Sequence, residues 1–410
     1  MPSKASPAGS LSSTLLFGFA AVTLVICIVY APSEAFKASG QGLAIWWRIV
    51  FPALLPFLVL TEIVLASGFA RGLGLLLEPL TRRTLGLPGS AGWVLPVGMI
   101  AGFPAAAAAA ASLCEQGKIT PKEAERMAAA AHFGSPMLLT VVIGTGFMGS
   151  PALGSLLLAV HWLAGLATAL TLRLIGTNNR KTRKEASVNT SMPDQKPGGI
   201  LRLAVAEMRR AQQEDGRSFG KLLGDAVSKS VQTLMTIGGY MLIFAVVIHV
   251  LAKMAPSFLP DFLIPGLLEL HLGTYAISGM ALPPSALAAL ISAMLGWGGV
   301  CAILQVRSIL KPAGIGSRSF LIYRVIHAAY AYLLTLLMWR PVLAWFPGTL
   351  PASSDLGTAI ELHPEGNGYA LLPGWEQIAG MVQLQSILFA AILTGMVCTA
   401  LLYRKFIPAD

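Results

Sequence analysis

The sequence predicts an all-α protein that crosses a membrane repeatedly, and two observations carry the prediction. Of its 410 residues, 55% are hydrophobic and only 12% charged, with a mean hydropathy of +0.69, whereas soluble domains carry about 25% charged residues. Several uncharged runs also exceed the roughly 20 residues that a helix needs to span a hydrocarbon core. A soluble enzyme, a disordered chain and a disulfide scaffold are set aside. The four cysteines, Cys27, Cys114, Cys301 and Cys398, lie far apart without a CxxC or Cys/His pattern, so neither a disulfide framework nor structural zinc is expected.

The runs give the elements in order. Leu11 to Tyr30 reads as a first helix that is not cleaved, because one cation precedes it and Ala31-Pro32 makes a poor cleavage site. Leu43 to Gly68 holds Arg48 and Glu62. Ser90 to Cys114 is interrupted at its middle by Gly102-Phe103-Pro104. Met127 to Leu172 is long enough for two helices, with Gly149-Ser150-Pro151 as the turn between them. Ser230 to Ala252 and Leu270 to Val306 follow, the second interrupted by Gly296-Trp297-Gly298-Gly299. Phe320 to Phe346, which holds Arg324 and Arg340, and Gln377 to Tyr403 complete the series. About eight spanning helices and two broken segments result.

Charge orients them. From Arg173 to Lys229 there are twelve Lys/Arg against six acids, whereas Pro341 to Gln377 has four acids and no cation. By the positive-inside rule the first loop is cytoplasmic and the second faces outside. The net charge of +10 is therefore a topology signal, and no nucleic-acid partner is implied. Thr177 to Gly199 has the composition of a linker, and Ile200 to Gly216 that of a basic surface helix. Parity requires one segment in each half to be re-entrant or broken, and the Gly102 and Gly296 to Gly299 interruptions are the natural places. Their similar positions, with Glu62 and Glu269 each upstream of one, suggest two repeats: residues 1–175 and 230–410, joined by a basic loop at 176–229.

Helices broken inside a bilayer expose backbone N–H groups that suit anionic ligands, although Gly and Pro also serve tight helix packing. A carboxylate at a helix centre costs about 2.5–3.5 kcal/mol on insertion scales, so Glu62 and Glu269 have either a role in proton coupling or substrate orientation, or a place near the interface. Arg307 and Arg324 are either anion ligands or snorkelling anchors. His132, in His132-Phe133-Gly134-Ser135-Pro136, and His327, three residues after Arg324, either relay protons or bond a neighbouring helix. Ala105 to Ala111 suits close helix contacts. The sequence contains no HExxH, GxSxG, Walker A or paired-Asp motif, so an enzyme, a cofactor and a metal are not expected.

The order Phe51-Pro52-Ala53-Leu54-Leu55-Pro56-Phe57, Gly98-Met99-Ile100-Ala101-Gly102-Phe103-Pro104, Ile119-Thr120 with Glu123 to Arg126, and Gly134-Ser135-Pro136 before Gly144-Thr145-Gly146 resembles the YlbJ family of sporulation membrane proteins. Gly266-Leu267-Leu268-Glu269, Gly296 to Gly299, Gln305-Val306 and Arg324 to His327 extend the likeness through the second half. The resemblance implies a nucleoside-recognition or gate-type protein whose Gly-rich segments are similar to the hairpins of concentrative nucleoside transporters. It also implies passage of dipicolinic acid across the outer forespore membrane, with Gly102, Phe103, Pro104, Gly134, Ser135, Gly296, Gly298, Gly299 and Gln305 in the site beside the residues above. A homo-oligomer is compatible with it. The chain departs from the family in having Ala105 to Ala111 where another Gly and often Lys are usual, and in lacking an Asn near His132-Phe133. In the nucleoside transporters the hairpins are inverted, whereas the charges here favour a parallel arrangement.

Overall fold

The computed structural model describes residues 11–84, 92–176 and 200–345. Every regular element among them is helical, and five helical stretches are long and apolar enough to cross a membrane: Pro32–Ala66, Pro151–Arg173, Phe219–Met254, Pro284–Leu310 and Ser319–Pro341. The expected run Gln377 to Tyr403 and the linker Thr177 to Gly199 lie outside the described residues, as does the acidic stretch expected to face outside, apart from 341–345, which are helical at the end of Arg318–Trp345.

Helix α1 (Leu11–Tyr30) coincides with the first apolar run. Helix α2 (Pro32–Ile45) continues through a π-helical turn, Trp46–Val50, into α3 (Phe51–Ala66). The widened turn has a local cause. Pro52 has no N–H to close the α-helical ladder onto the Arg48 carbonyl, and a π turn accommodates the ring and that freed carbonyl without ending the helix. Helix α4 (Phe69–Thr84) turns away at Gly68, where φ is +76°.

The antiparallel partner of α2–α3 is α10 (Phe219–Met254), which begins inside the stretch read as basic loop. Lys229 pairs with Glu62 at 2.7 Å, the Trp46 indole N–H donates to Leu234 O at 3.0 Å, Gly238 lies under the Trp46 ring, and Glu34 meets His249 and Lys253. From Lys229 to Lys253 the axis advances about 35 Å at 1.5 Å per residue, close to the thickness of a hydrocarbon core. The helix pair thus carries an ionic contact at each end and an aromatic anchor between.

Helix α9 (Ile200–Asp215) is the surface helix expected from its composition, and it lies on α4. A Cβ at Gly68 would come 2.6 Å from Met208 O and one at Gly72 2.5 Å from the Met208 side chain, so bare glycines set this approach. Arg71 donates to Glu214 at 2.6 Å, with Arg210 on the other carboxylate oxygen at 3.0 Å, and Arg217 donates to Asp215 at 2.7 Å. The hydrogen bond and charge of Arg71, with those of Arg210, hold the Glu214 carboxyl below its ordinary range; Arg217 does the same for Asp215. Because these folded-state values are depressed, the stabilisation they bring is complete above the ordinary carboxylate range, about pH 4, and is lost as the pH falls through the folded values. Spin labels on Gln213 and Ser67 are expected to report a single narrow distance at pH 7 that broadens below about pH 4. An unchanged distribution would show that apolar contact alone seats α9.

The remaining helices pack on short side chains. Helices α5 (Val94–Ala101) and α6 (Phe103–Glu115) flank Gly102, and Ala106, Ala107, Ala109, Ala110 and Ala111 are buried, in keeping with close helix contacts. Helix α7 (Pro121–Ala130) opens with a capping box between Thr120 and Glu123. Its Glu125 accepts the Ser319 N–H at 2.7 Å, at the start of α15 (Arg318–Trp345). A non-helical stretch from Ala131 to Ser135 precedes a π-helix, Leu138–Phe147, and α8 (Pro151–Gly176) follows the expected Gly149-Ser150-Pro151 turn. The second half supplies α11 (Leu263–Leu268), α12 (Leu270–Ser278), α13 (Pro284–Trp297) and α14 (Gly299–Leu310). Helices α8, α13 and α15 form a tight group, where Gly296 takes the α15 backbone at Ala328 and Thr335 donates to Ser292 at 2.7 Å.

Candidate functional site

Four interruptions of helical structure meet at one place. At the first, Gly102 adopts φ +87° and ψ 177° between α5 and α6, a conformation that side-chain-bearing residues rarely adopt. A Cβ there would lie 3.4 Å from the Ser135 N and 3.6 Å from the Phe133 O, so this break rests on the second, residues 131–135. The third is Gly298, with φ +84°, followed by Gly299 at +82°. A Cβ on Gly298 would be 3.2 Å from His132 Nε2, and one on Gly299 would be 3.1 Å from Leu268 O and 3.3 Å from the Glu269 Cα. The fourth break is therefore Glu269 itself, extended between α11 and α12 at φ −140° and ψ 127°.

Backbone freed at such breaks must find partners within protein or water at membrane depth. Here much of it finds buried side chains. The Arg324 guanidinium, 1% exposed, donates to His132 O and Ala129 O at 3.0 Å each and to Gly296 O at 3.3 Å. One α15 side chain thereby ties the end of α7 to the third break. The Gly134 N–H donates to His161 Nε2 at 3.0 Å, and His327 Nε2 donates to His161 O at 2.9 Å, with the two rings stacked 4.6 Å apart. Gly165 carries no side chain because the Phe133 and His327 rings occupy the place of its Cβ. His132 is stacked on Phe103 at 4.4 Å and edge-on to Phe320 at 4.9 Å, and its Nδ1 is buried without a hydrogen-bond partner.

Glu269 is 2% exposed. One carboxylate oxygen accepts the Leu272 N–H at 2.7 Å and caps α12, while the other lies 2.8 Å from His271 Nδ1. It begins its helix, one of the two placements its sequence context allowed. The same structure separates Glu62 from it. Glu62 sits on the continuous α3 and pairs with Lys229, so the two carboxylates take different positions relative to a break.

Of the residues expected in the site, Gly102, Phe103, Pro104, His132, Gly134, Ser135, Glu269, Gly296, Gly298 and Gly299 fall at or beside the junction. Arg324 and His327 hold it from behind, with the two terminal nitrogens of Arg324 committed to carbonyls. Gln305 lies farther along α14, where its amide meets Cys301 Sγ at 3.3 Å, and Arg307 is exposed beyond it. His161 and His271 were not singled out by sequence. Each is an imidazole inside an apolar stretch, the same signal that drew attention to His132.

The pair between half-buried Glu62 and exposed Lys229 supports a prediction of small effect. Surface ion pairs contribute about 0–1 kcal/mol, so Glu62→Gln is expected to leave the thermal midpoint of the detergent-solubilised protein nearly unchanged. A large drop would show that Glu62 has a demanding environment not provided by Lys229.

Broken helices meeting within a bundle of apolar spans define a polytopic all-α membrane protein with a discontinuous-helix centre. Residues 47–151, which contain the first two breaks, match the model of the Gate family, described as nucleoside recognition. Over 386 residues, 88% of this chain and 91% of the relative, the chain is 33% identical to the sporulation integral membrane protein YlbJ of Bacillus subtilis (strain 168). The chain belongs to the YlbJ family. No solved structure matches it.

Proposed function

We propose that this protein is a secondary carrier that moves dipicolinate across the outer forespore membrane during sporulation. The observation that carries the reading is the convergence of four helix interruptions, with α6 and α14 starting at two of them without a side-chain cap, whereas Glu269 caps α12. First-turn N–H groups lack intrahelical partners and favour anions, and a planar dicarboxylate presents two anionic ends to such groups. Membership in a family of sporulation membrane proteins supports the biological setting. In carriers of this type, motion of broken segments about a central site gives alternating access, and the glycines at Gly102, Gly298 and Gly299 supply backbone freedom where it is needed.

A second reading, a carrier of a nucleoside or of another organic anion, is favoured by the description of the matching family as nucleoside recognition. A third, a non-transporting scaffold of spore assembly, would use the same fold without cargo. Dipicolinate measured separately in the mother cell and the spore of a deletion strain distinguishes them. The carrier reading expects dipicolinate to be retained in the mother cell and depleted in the spore. Normal spore dipicolinate overturns it.

A further inference from the structure

We propose that Glu269 and His271 together form a proton-binding site that couples transport to a proton gradient, an inference that rests on the carrier reading above. The pair is built into the fourth break. Glu269 is 2% exposed and His271 8% exposed, and their side chains meet at 2.8 Å. The second Glu269 oxygen is taken by the Leu272 N–H. No Lys or Arg is paired with this carboxylate among the described residues.

Burial determines how many protons the pair holds. An isolated charge is costly away from water, and a carboxylate beside an imidazole is neutral overall only when the pair holds one proton beyond the N–H of the neutral ring. The 2.8 Å contact between Glu269 Oε1 and His271 Nδ1 is a hydrogen bond in either state. When the break opens to water, the proton leaves to solvent and an ionised Glu269 beside a neutral His271 remains, now hydrated. Burial thus favours the loaded pair and hydration permits release, as a coupling site in an alternating-access carrier requires.

Geometry links this site to the anion site. Gly299 starts α14, and a Cβ there would lie 3.3 Å from the Glu269 Cα, so the α14 N-terminus and the pair are adjacent. An anion at that N-terminus and a proton on the pair each favour the binding of the other, and by linkage the effect is reciprocal. The surrounding elements add few competing charges. The π-helix Leu138–Phe147 and α11 and α13 contain no titratable side chain; α12 adds Tyr275, and α14 adds Cys301 and, in its last turn, the exposed Arg307. From α10, His249 and Lys253 are engaged by Glu34, and Lys229 by Glu62. Its Lys221, Asp225 and Tyr240 complete the titratable groups on that helix.

The test uses the full chain purified into liposomes, with two assays. One follows exchange of labelled for unlabelled dipicolinate at equal pH on both sides; the other follows net uptake under an inward proton gradient, with a trapped pH dye reporting proton entry. The wild-type protein is expected to exchange and, under the gradient, to accumulate dipicolinate with proton entry. Glu269→Gln keeps an oxygen to accept the Leu272 N–H, and is expected to lower gradient-driven uptake and proton entry by at least about tenfold relative to its own rate of exchange. His271→Gln keeps the carboxylate and the helix cap intact, is expected to behave the same way, and decides the matter should Glu269→Gln fail to fold. Gradient-driven uptake at the wild-type level in either folded variant overturns the proposal, as does loss of exchange together with uptake in both. Wild-type exchange without proton entry overturns coupling and leaves the carrier reading standing. Wild-type protein that neither exchanges nor accumulates dipicolinate overturns the carrier reading and the proposal with it.

Discussion

Arg324→Ala is expected to destabilise the protein by about 3–5 kcal/mol, the range for removing one partner from a buried charged network. The guanidinium is the shared donor to His132 O, Ala129 O and Gly296 O, and these carbonyls lie where water cannot readily replace it. Truncation also leaves a void among Phe320, His132 and the α13–α15 contact, and cavities add to the cost. Against these losses stands the relief of no longer burying a cation, which keeps the expected value below the sum of three charged hydrogen bonds. Arg324→Lys retains the charge but replaces the planar fork by a point donor, which cannot reproduce the spread of acceptors, so it should fall between Ala and wild type. Thermal unfolding of the detergent-solubilised variants, followed by the fraction remaining monodisperse, measures the order. A thermal midpoint for Arg324→Ala equal to that of wild type would mean that the junction does not depend on this side chain.

The double variant Gly298→Ala, Gly299→Ala is expected to insert in the membrane yet lower spore dipicolinate by at least about tenfold, because the strain falls on the junction rather than on the spans. Both residues have φ above +80°, and forcing a side-chain-bearing residue into such a region costs about 1–3 kcal/mol each. The added methyl groups would also press on His132 Nε2 at 3.2 Å and Leu268 O at 3.1 Å, which moves the third break away from the second and the fourth together. Gly239→Ala is the matched control. That glycine lies within α10, has no atom within 4 Å of the Cβ it would gain and has no positive φ, and Ala there is expected to be neutral or stabilising by up to about 1 kcal/mol. Wild-type spore dipicolinate in the double variant, at equal expression, would remove the third break from the proposed transport site.

The two predictions separate what can be read along the chain from what cannot. Hydropathy and run length already describe an all-α membrane protein, since a bilayer demands internally bonded helices of a set length wherever the chain crosses it. Leu11 to Tyr30 appears as α1, the Gly149-Ser150-Pro151 turn separates two elements, Ile200 to Gly216 becomes the amphipathic α9, and both glycine-rich interruptions break their helices. These are local consequences of side-chain polarity and of glycine and proline backbone preferences, so a window of a few residues contains them.

Partnership is not local. That Glu62 meets Lys229, 167 positions away, while Glu269 meets the nearby His271, follows from α10 lying antiparallel to α2–α3 and from α12 starting afresh after α11. Arg324 could have been an anchor at the interface or an anion ligand; packing α15 against α7 and α13 turned it inward onto carbonyls 192 and 28 positions away. His161, in the apolar middle of α8, gained its role only when the Gly134 N–H was brought to it. A sequence records which groups will need a partner in a low-dielectric interior, because burial makes every polar group costly until it is paired. Which partner each receives depends on the approach of helices far apart in the chain, and it was folding that gathered four separate breaks into one junction.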